Sequence, residues 1–164
     1  ITFAFSFLRV LFCAICVLFS SSYIYMHFTT PKSLHYIYDG IKYHKENLEL
    51  AECIKIEVDG EYKSRSFGYN DEFVGKIKIG DIIFDFSDYP LKLNKYKMGV
   101  LDTDMSSNYG FYGMMFINSM FKKITIEIHE YKGDGVYCAN QWMISAPCKN
   151  VKEAVELSQR LIRR

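Results

Sequence analysis

The histidines beyond the first 28 residues are His35, His44 and His129, and they are where metal or acid–base chemistry would be sought. A zinc site wants three or four ligands, often with two at short helical spacing. His35 and His44 stand nine residues apart and no HExxH pattern is present, so no metal is expected. His129 follows Ile124, Ile126 and Ile128, which alternate with Thr125 and Glu127, and it lies beside Glu127 and Tyr131. That reads as a solvated strand residue rather than a ligand or a base. Asp102, Thr103, Asp104, Met105, Ser106, Ser107 and Asn108 begin like a calcium loop. Ser107 occupies the sixth position, where glycine is required, and Gly113 the twelfth, where a bidentate Glu is required. An Asx-rich turn is the better account. Asp81, Asp85 and Asp88 recur along a strand, and paired carboxylates run acid–base chemistry when their environments push their pKa values apart. Ordinary solvent-facing positions explain all three.

Nucleophilic chemistry would need Cys138 or Cys148 paired with His129. A buried cysteine more often behaves as a small hydrophobe. No nucleophile elbow, phosphate loop or dinucleotide fingerprint occurs, so no catalytic residue and no cofactor is assigned. Tyr109, Phe111 and Tyr112 are candidates for a contact surface, because aromatic side chains dominate binding hot spots. The competing account is a core strand with wet tyrosine edges. In an oxidising compartment Cys53, Cys138 and Cys148 allow one disulfide with one thiol left over. Cys138–Cys148 closes the shortest loop.

The compartment is set by residues 1–28, which carry Arg9 as their one full charge and no acid. Residues 10–28 are long and apolar enough to cross a bilayer. In one reading they stay as an anchor, with Tyr23, Tyr25 and His27 at the far interface. In the other, residues 10–19 are a secretory core and cleavage follows Ser22. The apolar character that continues past the serines favours the anchor. A core helix of a soluble domain is a further alternative. The expected location is the inner membrane with the domain on the periplasmic or extracytoplasmic side, or secretion if cleaved. A Lys- and Tyr-rich, Arg-poor composition suits a bacterium of low G+C content.

Removing Arg9 from the 20 basic residues leaves 19 against 19 acids, so the exported part is neutral. No polybasic run exists, which argues against nucleic acid. Residues 29–32 form a linker, and 33–164 read as a single exported α+β domain. Leu34, Ile37, Tyr38, Ile41 and Leu48 fall near a helical period, with Ser33 as N-cap, so a helix is expected within 33–52. Ile54, Ile56 and Val58 alternate as a strand, ended by an Asp59-Gly60 turn, with a return strand over 62–67. Residues 76–79 and 82–86 flank Gly80-Asp81 as a hairpin that pairs Ile79 with Ile82, Ile77 with Phe84 and Lys76 with Asp85. Residues 91–108 are irregular, with a short strand near Val100. Residues 109–121 read as a buried strand bending at Gly110 or Gly113.

A last hairpin turns at Gly133-Asp134-Gly135. Its register sets Ile126 opposite Trp142 and Ile124 opposite Ile144, all inward, with Cys138 also on the inner face. Asn150 and Glu153 form a capping box for a closing helix. Its stripe is Val151, Ala154, Val155, Leu157, Leu161 and Ile162, expected to pack on the inner face of the sheet. The fold class is therefore α+β. An N-terminal membrane-spanning or signal helix precedes an antiparallel sheet of about five to seven strands, with a C-terminal helix on one face. The functional expectation is a membrane-anchored or exported non-catalytic protein-binding module, such as an inhibitor, an immunity-type protein or an envelope-complex subunit. Its partner would be another envelope or secreted protein. The alternative is an envelope enzyme whose site assembles from dispersed acids and His129.

Overall fold

In the computed structural model, which describes residues 2–64, 70–102, 112–131 and 137–163, the apolar start of the chain is one continuous helix, α1 (Thr2–Thr29). Among its described side chains, Phe12, Ile15, Leu18, Phe19, Tyr23 and Tyr25 are all exposed. Ser20 and Ser21 donate their hydroxyls to the carbonyls of Cys16 and Val17 one turn back, which satisfies those polar groups inside the helix. Among the described residues, no helix is long and apolar enough to cross a membrane.

The strands are β1 (Lys32–His44), β2 (Ala51–Lys63), β3 (Asp71–Ile79), β4 (Ile82–Asp85), β5 (Leu91–Leu93), β6 (Met98–Asp102), β7 (Tyr112–Ile117), β8 (Ile124–Tyr131) and β9 (Tyr137–Ala146). A helix, α2 (Val151–Ile162), closes the chain. The strands form one antiparallel sheet in the order β4-β3-β2-β1-β9-β8-β7-β6, with β5 paired to β3. Nine strands among the described residues exceed the five to seven expected.

Part of the excess is β1, which replaces the expected helix. Burial in β1 switches faces midway. Leu34, Tyr36 and Tyr38 point to one side, whereas Ile41 and Tyr43 are buried on the other. A period of two that changes phase at Gly40 mimics the spacing of a helix. Residues 45–50 are a loop built on Asn47, whose side chain accepts from the N–H of Glu49 at 3.2 Å.

The expected turn at Asp59-Gly60 is also absent. β2 runs straight through it, and Gly60 pairs with Gly75 of β3. A Cβ on Gly60 would lie 2.2 Å from the carbonyl oxygen of Val74, so the glycine serves close strand approach rather than a turn. The β3–β4 hairpin has the expected register, Ile79–Ile82, Ile77–Phe84 and Lys76–Asp85, with a 3.1 Å ion pair at its outer end.

The sheet curls until β5, hanging from β3, rests against β6 at the far end. Gly99 permits that contact, since a Cβ there would meet Leu93 Cδ2 at 2.9 Å. A polar lock fastens the closure: Lys97, from the β5–β6 turn, and Tyr62 both donate to the Asp71 carboxylate. The concave face holds the larger core, including Ile56, Phe73, Ile77, Leu101, Met115 and Phe121. Each such fully buried side chain contributes about 1.5–3 kcal/mol of transfer free energy.

The closing hairpin departs from expectation by two residues. Ile126 faces Ile144 and Ile124 faces Ala146, while near the loop His129 faces Ala139 as expected. The slip falls at a bulge where Asn140, Gln141 and Trp142 stand against Ile128 alone. A slip of two leaves every side chain on its expected face. The capping box is present, with Asn150 Oδ1 accepting from the Glu153 N–H at 3.0 Å. However, α2 packs on the face opposite the main core. Ala154, Leu157 and Leu161 lie there with Ile41, Tyr43, Met143 and Cys148, and Ile162 is exposed. The sheet thus has two apolar faces, which an inward/outward reading of β8 and β9 does not anticipate.

The thiols are free. Cys138 is the second residue of β9 and Cys148 lies two residues past its end; the strand from Cys138 to Ala146 alone spans about 26 Å at roughly 3.3 Å per residue. Cys53 on β2 is separated by the whole of β1 from β9 and from Cys148, whose N–H bonds to Asp39 on the β9 side. Two strand spacings are about 9.5 Å, beyond the Cα separation that a disulfide spans. In this arrangement the three thiols expected to offer one disulfide are held apart.

Candidate functional site

Under α2 the sheet face carries small and hydroxylated residues, which bring the helix close. Thr125 and Ser145 are fully buried and hydrogen-bonded at 3.0 Å. Tyr43 donates to Ser158 Oγ at 2.7 Å, and Ser158 donates to the Val155 carbonyl at 2.8 Å. Burial pushes the Tyr43 phenol above its ordinary pKa, while its hydrogen bonds with Ser158 and Ser145 pull it partly back. These bonds pin the middle of α2 to β1.

Towards its C-terminal end the helix leaves a groove of about 290 Å³ against β1 and β9. Tyr43 and Met143 form the floor, Val155, Ser158, Gln159 and Ile162 one wall, and Leu48 the other. Among the described residues, Lys45 and Arg163 are the charged residues of the lining, which includes no acid. Leu48 projects from the Asn47 turn, which is closed by bonds from Leu50 N–H to Asn47 O at 3.1 Å and from His44 N–H to Leu50 O at 3.3 Å. Leu48 and Ile162 remain 48% and 41% exposed, so both lips of the groove are apolar and open.

Beside the groove, Lys45 reaches across the sheet to Glu127 at 2.5 Å, and Glu127 also lies 3.6 Å from His129 Nε2. His129 is not the solvated residue expected from sequence: its side chain is only 13% exposed. On the same face, Asp102, Tyr112 and His129 fall in one cross-strand row over β6, β7 and β8. Of the aromatic candidates, Tyr109 and Phe111 lie outside the described residues, as does the side chain of Tyr112. The calcium-like stretch after Asp102 lies outside them too, and the described residues hold no group of ligands for a metal.

Asp85 is far from this region, at the opposite end of the sheet with four strands between β4 and β8. The hydroxyl and N–H of Ser87, together with Lys76, hold its carboxyl at about 2, which is no acid–base group for neutral pH. Asp81 and Asp88 are exposed in turns. The three acids singled out in the sequence are therefore not drawn to His129.

Chain comparisons add no relative. No protein-family model, curated protein or solved structure matches this chain.

The groove residues Tyr43, Lys45, Leu48, Ser158 and Arg163 carry no spacing signal in the sequence. The available clue is Ser158, a hydroxyl inside the apolar stripe of α2, with Ile162 at the edge of the same stripe. Ile162, exposed where Leu161 is buried, marks where the stripe leaves the core.

Proposed function

We propose that the chain is a small domain held at a membrane by α1 and displayed on the extracytoplasmic side, where it acts as a non-catalytic binding module for another envelope or secreted protein. The observation that carries this reading is the open groove beside a finished core, apolar at both lips and bounded by Lys45 and Arg163. Apolar surface left open in this way marks an interaction site. The anchor is supported by the outward apolar side chains of α1 and by its internally satisfied serines. Although no described helix is both long and apolar enough to cross a membrane, α1 with 28 residues is about 42 Å long, so its length alone exceeds the roughly 30 Å of a hydrocarbon core.

Two measurements test the proposal on the full chain. Flotation with liposomes after an alkaline wash should keep the protein with the lipid, and recovery in the aqueous fraction would overturn the anchor. A photo-crosslinking residue in place of Gln159, in cells that make the protein, should give an adduct with a discrete partner protein. The same residue in place of Asp81, on the exposed β3–β4 turn, should not. Equal adducts at both positions, or none at Gln159, would overturn the binding reading.

A further inference from the structure

The occupant of the groove can be narrowed by its charge, its size and its place along β1. Among the described residues the lining carries two cations and no acid; Lys45 is paired with Glu127 beside the groove, so a neutral or basic occupant would leave Arg163 without a counter-charge from the lining. Lys45 is aimed by Glu127 at 2.5 Å, and an ammonium with three donors keeps others for an incoming carboxylate. At about 290 Å³ the groove lies at the lower limit of small-molecule sites. That space suits one or two side chains of a larger partner. β1 begins next to α1 and reaches the groove at its other end, after 13 residues or about 40 Å of strand. With α1 in a bilayer, the groove opens at the end of β1 remote from the anchor, where a polypeptide rather than a lipid tail is at hand.

We propose that the groove binds an acidic amphipathic segment of a partner protein, seating leucine-type side chains between Leu48, Met143, Val155 and Ile162 and setting carboxylates against Lys45 and Arg163. This rests on the reading of the groove as the binding surface. Charge pairs at the rim set specificity and salt dependence, and the apolar anchors hold the complex together.

The test uses the full chain in detergent micelles and two fluorescent peptides. Both carry leucines one helical turn apart, flanked in one by glutamates and in the other by lysines. Fluorescence anisotropy should show the acidic peptide binding about tenfold or more tightly at low salt, with the margin shrinking as salt rises. The double variant Lys45→Ala, Arg163→Ala should lose that margin. Leu48→Asp and Ile162→Asp, at exposed positions that leave the core intact, should weaken both peptides. Equal binding of the two peptides, still weakened by Leu48→Asp, overturns the acidic preference and leaves protein binding at the groove standing. Binding of neither peptide, with dodecanoate bound instead, overturns both in favour of a lipid occupant. Self-association that is lost on Ile162→Asp, with neither peptide bound, overturns the proposal in favour of a second copy of the chain.

Discussion

Gly60 and Gly75 face each other across β2 and β3 so closely that a Cβ on Gly75 would stand 2.3 Å from the carbonyl oxygen of Asp59. The neighbouring atoms are backbone and cannot swing aside. Gly75 also has a φ of 143°, a conformation that side-chain-bearing residues rarely adopt. Gly75→Ala should therefore cost more than about 2 kcal/mol of stability, through both contact and backbone strain. Gly60→Ala should be costly by contact alone, with no penalty from φ. Urea unfolding of the two variants checks this, and a Gly75→Ala variant as stable as the parent would show that the strands tolerate separation.

The lock that fastens the curl should respond unequally to loss of either partner. Asp71 has a side chain 5% exposed, whereas that of Lys97 is 34% exposed. Lys97→Met takes the ammonium away from a nearly buried carboxylate, and removing one partner of a buried pair costs about 3–5 kcal/mol. Asp71→Asn leaves an ammonium that water can reach, so it should cost less. Tyr62→Phe removes one hydroxyl and should fall near about 1–3 kcal/mol. Unfolding free energies of the three variants give the ranking, and Asp71→Asn costing more than Lys97→Met would contradict it.

Sequence patterning found the features fixed by neighbours in the chain. The Gly80-Asp81 hairpin and the Asn150–Glu153 cap are decided by turn chemistry and by one helical turn. What it misread was decided by neighbours in space. Gly60 follows an aspartate, which signals a turn, but its role is set by Gly75, fifteen positions away. β1 looks helical because α2 covers one half of one face and the main core covers the opposite face of the other half. The groove escaped for a related reason. Its residues come from a strand end, a loop and a helix end, and only the path of α2 over the sheet makes them neighbours.

The buried thiol of Cys148 supplies a pH dependence. Burial, then the carboxylate of Glu153, pushes it from 9.0 up to about 11. A folded-state pKa above the unfolded value means that the native protein holds this proton longer. The contribution is fully present below about pH 9 and is lost as pH rises from about 9 to about 11. Two pKa units correspond to at most about 2–3 kcal/mol. The raised phenols of Tyr43 and Tyr62 act in the same direction above their ordinary range. Urea unfolding repeated across this range should show the fall. Cys148→Ala, though less stable at neutral pH, should show a shallower one. Thiol reagents at neutral pH should modify exposed Cys53 and spare Cys148.

The bulge in β9 offers a test of what its residues contribute. Gln141 has a φ of 68°, a left-handed conformation with a Cβ present. Its carbonyl accepts from the Lys45 N–H at 2.9 Å, and the Trp142 N–H bonds to Asn140 Oδ1 at 3.1 Å, so both neighbours hold it there. The strained residue thus anchors the strand end that carries Lys45 into the groove. Left-handed backbone costs a non-glycine residue about 1–2 kcal/mol, and most for a β-branched one. Gln141→Gly should accordingly raise stability or leave it unchanged, after the entropy of the freer unfolded chain is subtracted. Gln141→Val should lower it by about 1–2 kcal/mol. Thermal melts of the two variants decide the point. A Gln141→Gly protein that melts clearly below the Gln141→Val protein would mean that the glutamine side chain, rather than the backbone it constrains, holds the bulge in place.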